Sequence, residues 1–335
     1  MSEEIARVVL EGYGVTMKKR PGRTEETLAR LAAIERDPGT TGIAEVRAAL
    51  AHERSFVVGR AADVAFKLGL SLEAELDDAF RRVAAPADDR DCTAADTVLK
   101  AMARLGIQAP DTYLTALHMH RSVKSAEGFV DVAAPLRAHA AMALVETGFT
   151  SALEEVAPML ADPEASVRTA AAEALGVLGG SGAAAVLLFK LGVGDLDSEV
   201  LGACLSGLLR VDIDRYLPKV AKYLEDDDVR LVELVALALG ETRAVKAFAP
   251  LRDAIRKVPR SAMATVFLAL ALLRCDEATA HLIGTVERGE LAFAALAVGA
   301  LSLHRHDEAM TTRVRNIVET RRERRLREVF AAKFG

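Results

Sequence analysis

The chain has 335 residues, more than the roughly 250–300 at which one compact core usually stops growing. Its 43 basic and 48 acidic residues give a net charge of −5, which argues against a dedicated nucleic-acid-binding protein, because such proteins normally carry a basic surplus. Apolar residues make up 51% of the chain but aromatic residues only 4%, and tryptophan is absent. The core is therefore expected to be built mainly from alanine, leucine and valine, which suits closely packed helices.

Residues 1–40 do not share the pattern of the chain that follows, and we expect them to form an N-terminal extension or cap. The first four residues are acidic and lack the apolar core of a signal peptide. No uninterrupted run of about 18 apolar residues occurs, so no membrane-spanning segment is expected. These features predict a cytoplasmic protein that does not enter a membrane.

Residues 41–306 repeat one pattern, in which an apolar helix ends, a short polar turn follows, and a second apolar helix is closed by glycine. The ends of the first helices fall at intervals of 30, 37, 43, 31, 33, 31 and 31 residues: Leu50, Phe80, Leu117, Leu160, Leu191, Leu224, Ile255 and Val286. One amphipathic helix pair cannot bury its apolar face alone, so neighbouring pairs must stack. The pattern predicts an all-α fold, an α-solenoid or superhelix of about eight stacked antiparallel helix pairs.

The longest repeat contains an inserted loop at residues 118–131, about ten residues longer than the neighbouring turns. It combines His120, Arg121 and Lys124 with the apolar residue Phe129. Long loops in compact proteins are usually functional or disordered, and insertions in solenoids often lie on the binding face. Two interpretations stay open: a loop that grips a ligand over a concave groove, or a spacer whose Phe129 packs in the core.

Clusters of acidic residues occupy the turns between paired helices, at residues 88–91, 195–197 and 225–228. Carboxylates at these places interact favourably with the N-terminal ends of the following helices. The clusters lack the alternating ligands and the closing glutamate of a calcium-binding loop. We therefore predict solvated turns that cap helices.

Residues 307–335 are predicted to form a basic C-terminal capping helix. Residues 311–335 carry a net charge of +5, which leaves −10 for the rest of the chain. A second basic run lies at residues 18–23. A polar cap over the last helix pair is the favoured interpretation, and an electrostatic contact with nucleic acid or an acidic protein is the alternative.

The segment Asp162–Gly176 resembles the HEAT repeat, since it reads Asp-Pro-x-x-x-Val-Arg-x-x-Ala-Ala-x-Ala-Leu-Gly. It is most similar to the short, alanine-rich bacterial type first named from phycobilin lyases. The resemblance is strong over residues 150–305, good over 41–80 and loose over 81–149. It implies that Asp162 and Arg168 are structural residues, which tie successive turns within the hairpins into a ladder.

Two groups of HEAT-like enzymes do not fit this sequence. Deoxyhypusine hydroxylases hold two iron ions with several His-Glu pairs, whereas this chain has one such pair, His52-Glu53. HEAT-like alkylpurine DNA glycosylases use Trp, Tyr and Asp in a groove, and this chain has no tryptophan to hold a flipped base. No residue set specifies bilin lyase activity, which nevertheless stays open because it leaves no sequence motif.

No nucleophile motif and no phosphate-binding Gly-Lys-Ser/Thr loop occurs. A metal site can be drawn from His118, His120 and His139 with Glu127 or Asp131. Residues two apart on a helix point about 200° from one another, so we prefer polar residues at helix ends over a metal site. Buried free thiols are expected at three cysteines: Cys92, Cys204 and Cys275. We expect no enzyme activity, no cofactor and no metal.

The sequence therefore favours a non-catalytic scaffold that binds a protein partner on the concave face of the solenoid. The candidate contacts are charged or polar positions on the second helices and in the loop: Arg60, Asp63, Lys67, His120, Arg121, Lys124, Arg168, Arg230 and Glu233. The first alternative is a lyase-like or enzyme-accessory protein that binds a small molecule in the groove. The second is weak nucleic-acid binding through the basic termini.

Overall fold

The structure is a computed structural model that describes residues 23–37, 39, 42–85, 89–126 and 128–335. It divides into two compact units. Unit 1 comprises Met1–Thr112 and His120–Leu136, and unit 2 comprises Tyr113–Met119 and Arg137–Gly335. Helices dominate both units, and in each unit alternate helices pack on one another in chain order. The predicted all-α solenoid of stacked helix pairs is confirmed.

The described residues of unit 1 form five helices that lie wholly within it: α1 (Arg23–Arg36), α2 (Gly42–Leu50), α3 (Ser55–Lys67), α4 (Glu73–Val83) and α5 (Thr93–Arg104). Helices α1, α3 and α5 form one row, and α2 packs on α4 in the other. Helix α1 lies within the segment predicted as an N-terminal extension or cap, and its Leu31 and Ile34 are buried. Residues 1–22, which include the basic residues Lys18, Lys19 and Arg20, lie outside the described residues.

The inserted loop is a β-hairpin. Strand β1 (Ser122–Ser125) pairs antiparallel with β2 (Gly128–Asp131), so that Val123 faces Val130 and Lys124 faces Phe129. The sequence predicted an all-α fold with a loop here, so these strands were not expected. Each strand has only four residues, too few for alternating polarity to become visible.

Two helices contribute residues to both units, α6 (Pro110–Leu117) and α7 (Ala134–Glu146). Unit 2 continues through a longer series: α8 (Ala152–Val156), α9 (Ala165–Leu178), α10 (Gly180–Val193), α11 (Ser198–Val211), α12 (Ile213–Val220), α13 (Val229–Glu241), α14 (Phe248–Ala254), α15 (Met263–Leu272), α16 (Asp276–Arg288), α17 (Leu291–Leu301), α18 (Glu308–Arg321) and α19 (Arg324–Phe334). One row of this unit runs through α9, α11, α13, α15, α17 and α19, each in contact with the next.

Helices in this row approach closely where glycine removes a side chain. A Cβ atom added to Gly176 in α9 would lie 2.6 Å from the Cα of Gly207 in α11. A Cβ atom added to Gly240 in α13 would lie 2.6 Å from the carbonyl oxygen of Ala269 in α15. No real Cβ contact is that short, so these glycines set the spacing of the row. By contrast, a Cβ atom added to Gly299 in α17 would meet no other atom within 4 Å.

Two local predictions need correction. The acidic residues do cap helices, but Asp89 is only 3% exposed and accepts hydrogen bonds from the amides of Ala94 and Ala95, so it is not solvated. The C-terminal segment predicted as one capping helix is a pair, α18 and α19.

Candidate interaction surfaces

A ladder of ion pairs connects successive turns of unit 2. Asp162 accepts hydrogen bonds from Arg137, which is fully buried, and from the amide of Glu164, just before α9 begins. Arg168 donates at 2.8 Å to each carboxylate oxygen of Asp195, and at 2.9 Å to the carbonyl oxygen of Asp162. The ladder implied by the HEAT resemblance is therefore present. Arg168 acts inside the molecule and is not a free contact for a partner.

Asp195 is the most strongly perturbed carboxyl group of the ladder. Burial alone would raise its pKa, but hydrogen bonds from Arg168 and Lys190 outweigh burial and hold the pKa of Asp195 well below its usual range. The amide of Asp197 donates to the same carboxylate. Asp195 therefore stays ionised in the folded protein at any ordinary pH.

The three candidate residues of α3, Arg60, Asp63 and Lys67, form a network of ion pairs that includes a residue of α1. Arg60 pairs with Glu35 and Asp63. The Lys67 ammonium lies 2.8 Å from a carboxylate oxygen of Glu35 and 2.9 Å from one of Asp63. Hydrogen bonds from Lys67 and Arg60 lower the pKa of Glu35, which keeps it charged. Any partner that binds these side chains must first replace their contacts with one another.

Arg230 and Glu233 are also paired. The Nε of Arg230 donates at 2.9 Å to Glu199, and its Nη1 lies 3.5 Å from Glu233. Glu233 accepts a further hydrogen bond, of 3.3 Å, from the hydroxyl of Thr265. Arg230 connects α13 to α11 just as Arg168 connects α9 to the next turn, although the Arg230 pair is far more exposed.

The candidate residues of the hairpin differ in their surroundings. Arg121 anchors the base of the hairpin, since its guanidinium donates to the carbonyl oxygens of Asp89 and Ala84. His120 lies 3.1 Å from Asp131. Within the described part of the chain, Lys124 is the only one of the nine candidates whose side chain has no ion pair or hydrogen bond.

The hairpin itself exposes apolar side chains. Phe129 is 79% exposed, and Val130 is half exposed across from Val123. The interpretation of this segment as a spacer with Phe129 in the core is therefore wrong. Two-stranded hairpins are marginally stable by themselves, and here the anchor is Arg121.

Helix α10 presents a larger apolar face that the sequence analysis missed. Ala185, Phe189 and Val193 repeat every four residues and therefore share one face of the helix, and Leu196 follows in the next turn. Phe189 is 73% exposed, Val193 66% and Leu196 fully exposed. The composition of this helix could have indicated the exposed apolar face. A surface helix normally has a stripe of polar residues, but residues 180–193 contain only one charged residue.

That single charge does not reach the exposed face. Lys190 turns to the ladder, where its ammonium lies 2.7 Å from Asp195 and its side chain is only 13% exposed. The face formed by Ala185, Phe189, Val193 and Leu196, called the α10 face below, therefore carries no charge of its own. Monomeric soluble proteins rarely leave such side chains together in water without a use.

The residues considered for metal binding are separated by their contacts. His118 lies 3.0 Å from Glu155, while His120 pairs with Asp131. Among the described residues, no group of three or more His, Cys, Asp and Glu side chains is placed to hold a metal ion. Glu127, also considered as a ligand, is not among the described residues.

The thiols follow the sequence prediction in part. Cys92 and Cys204 are buried, whereas Cys275 is only partly buried. Burial raises the pKa of Cys204 to about 12 and also raises the pKa of Cys92. Neither buried thiol is a thiolate at neutral pH, so neither is a nucleophile.

Some of the basic residues of the C-terminal pair contact other groups of the protein. Arg321 donates to the carbonyl oxygens of Val286 and Gly289, and Arg324 pairs with Glu328 at 2.6 Å. The guanidinium of Arg315 lies 5.7 Å from the ring centre of Phe330. These contacts join α18 and α19 to each other and to the preceding helix pair, as expected of a cap.

The sequence of this chain matches one protein-family model, over a short region. A family model described as HEAT repeats matches residues 130–191. No curated protein is significantly similar to the chain. Among solved structures, the complex of CpcE and CpcF of phycocyanin lyase from Nostoc sp. PCC7120 is 18% identical, with a TM-score of 0.41, over 72% of this chain and 92% of that chain. No helix within the described ranges is long and apolar enough to span a bilayer.

Proposed function

We propose that this chain, whose helix pairs include HEAT repeats, is a non-catalytic scaffold that binds a partner protein through the α10 face. One observation carries the proposal: Phe189 and Val193 are exposed one helical turn apart on a side of α10 that bears no charge, and Leu196, just after the end of the helix, is fully exposed. Interface cores are enriched in aromatic residues and depleted of charge, and the α10 face has this composition.

The proposed occupant is an apolar helix face of the partner. Side chains at Ala185, Phe189 and Val193 form a row with the four-residue spacing that a helix of a partner can pack against. A charged partner surface would gain nothing there, because Lys190 is already paired with Asp195. The charged positions that the sequence favoured are less suitable, since eight of the nine already have intramolecular partners.

The test compares a double variant with a matched control. Phe189→Ser with Val193→Ser removes the centre of the face, and Val245→Ser removes an apolar side chain of similar exposure elsewhere in unit 2. Exposed substitutions of this kind shift the free energy of unfolding by roughly 0.5 kcal/mol or less, so urea denaturation should show all three proteins folded.

The measurement has two steps. The tagged chain is expressed in its source organism, and the protein that co-purifies with the wild type and the control but not with the double variant is identified by mass spectrometry. Its dissociation constant for each purified variant is then measured by calorimetry. We expect the double variant to bind about 10-fold more weakly or worse, since central aromatic anchors carry most of the energy of an interface.

Two results would overturn the proposal. Equal dissociation constants for the wild type and the double variant would exclude the α10 face. Self-association of the pure chain in sedimentation, lost in the double variant, would assign the face to a second copy of the chain and not to a partner helix. A Phe129→Ser variant in the same series tests whether the exposed hairpin shares the partner.

A further inference from the structure

A crevice of about 520 Å³ opens between helices α14 and α16 of unit 2, remote in sequence from the α10 face. Its floor includes Phe267 and Phe293, whose rings stack with centres 6.2 Å apart and planes 15° from parallel. Phe267 is buried, while Phe293 is partly exposed. A volume of this size suits a small molecule with a flat apolar body.

The polar groups of this crevice are mainly basic. Arg252, Arg256 and His281 line it, against a single carboxylate, that of Asp253. Arg252 already holds Asp253, at 2.8 and 2.9 Å, and its guanidinium lies over the ring of Phe248. The carboxylate of Asp253 is therefore already paired with Arg252, another residue of the crevice.

Two of its polar side chains are left without a polar partner. Among the described residues, the guanidinium of Arg256 has no ion pair or hydrogen bond. His281 contacts Phe248 edge to face, with ring centres 5.8 Å apart, and neither ring nitrogen has a hydrogen bond within the described chain. The crevice thus combines an unpaired cation, an unpartnered imidazole and an aromatic floor.

We propose that this crevice binds a small aromatic carboxylate, whose ring lies on Phe293 and whose carboxylate is held by Arg256 and His281. A guanidinium is matched in shape to a carboxylate, and it can donate two parallel hydrogen bonds to it. A crevice in unit 1 has the opposite charge. It is lined by Arg60 but also by Asp63, Asp89 and Asp91, whose carboxylates would repel an anion.

His281 supplies a readout that does not depend on any activity. Burial first, and then the positive charge of Arg252, hold the pKa of His281 below its usual value. The charged residues on the two walls are Arg252 and Asp253 of α14, Arg256 just after it, and Asp276, Glu277, Glu287 and Arg288 of α16, the helix that carries His281. Helices α15 and α17, which complete the walls, contain no charged residue. A carboxylate that enters should therefore raise the pKa of His281.

The probe is 1-naphthoate, with 1-naphthalenemethanol as its neutral analogue and inorganic phosphate as an anion without a ring. Nuclear magnetic resonance follows the His281 imidazole, identified by its loss in His281→Gln, through pH titrations with and without each probe. We expect naphthoate to bind and to raise the pKa of His281. We expect the alcohol and phosphate each to bind at least about 10-fold more weakly, since each lacks one of the two features.

Two variants test whether naphthoate binds in this crevice or non-specifically elsewhere on the protein surface. Arg256→Gln should weaken naphthoate binding about 10-fold, while Arg260→Gln, an exposed arginine outside the crevice, should leave it unchanged. Binding of the alcohol as tight as that of naphthoate would overturn the proposal. An Arg256→Gln variant that binds like the wild type, or an unmoved His281 titration, would overturn it as well. Neither result depends on whether the α10 face binds a protein.

Discussion

The guanidinium of Arg137 holds both carboxylate oxygens of Asp162, at 3.0 Å each, in a position where Arg137 has no exposed surface. Its third contact is to the carbonyl oxygen of Met119, at 2.9 Å. An ion pair removed from water in this way depends on complete pairing, because a buried charge without its partner is costly. The first prediction follows from this geometry.

We expect Arg137→Met to destabilise the protein by about 3–5 kcal/mol, because it leaves the Asp162 carboxylate buried and unpaired. Arg230→Met is the control, since the pair of Arg230 with Glu199 is about half exposed and should contribute about 1 kcal/mol or less. Urea denaturation of the three proteins measures both free energies of unfolding. Similar losses in the two variants would contradict a special role for the buried pair.

Asp195 predicts a specific loss of stability in acid. Its folded pKa lies well below the ordinary 3.8, so its contribution is complete above about pH 4 and is lost as the pH falls below that towards the folded value. We expect the stability advantage of the wild type over Asp195→Asn to be constant from pH 7 to 5 and to shrink by pH 2.5. Urea denaturation at these pH values gives the difference, in which the other carboxyl groups cancel. A constant advantage down to pH 2.5 would show that Asp195 titrates normally.

The cysteines should react in a fixed order. Cys204, with a pKa raised to about 12 by burial, and buried Cys92 should resist a thiol reagent at pH 8 in the native state. Cys275 is only partly buried and should react first. Absorbance with a disulfide reagent should therefore report one thiol before unfolding and three after it. A Cys275→Ser variant should lose the native reaction, and a rapid reaction in that variant would contradict the assignment.

Glycines in the helices of unit 2 should respond in opposite directions to alanine. Gly176→Ala forces a Cβ atom against the backbone of Gly207, so we expect a loss of about 1–3 kcal/mol despite the better helix propensity of alanine. Gly299→Ala meets open space in the last turn of α17 and should stabilise by about 0.5 kcal/mol. Thermal and urea unfolding of both variants test the contrast. A stabilised Gly176→Ala protein would mean that α9 and α11 separate easily.

Local pattern predicted the helices, and the resemblance to the HEAT repeat implied the ladder. Apolar residues at steps of three and four predict α9 because a helix turns every 3.6 residues, whatever it packs against. The structural roles of Asp162 and Arg168 were implied by the resemblance to the HEAT repeat, although their partners, Arg137 and Asp195, were not identified. The hairpin at residues 122–131 was missed because its two strands are too short to show a period.

The sequence by itself determined that helices form, pair and stack, since each pair carries more apolar surface than it can bury alone. Only the tertiary structure decided which side chains remain available. Arg60 was a candidate contact until α1 placed Glu35 beside it, 25 residues earlier in the chain, while Phe189 was not a candidate and yet is exposed on α10. The reason is physical: pairing and exposure depend on neighbours distant in sequence, whereas a helix depends on residues a few positions away.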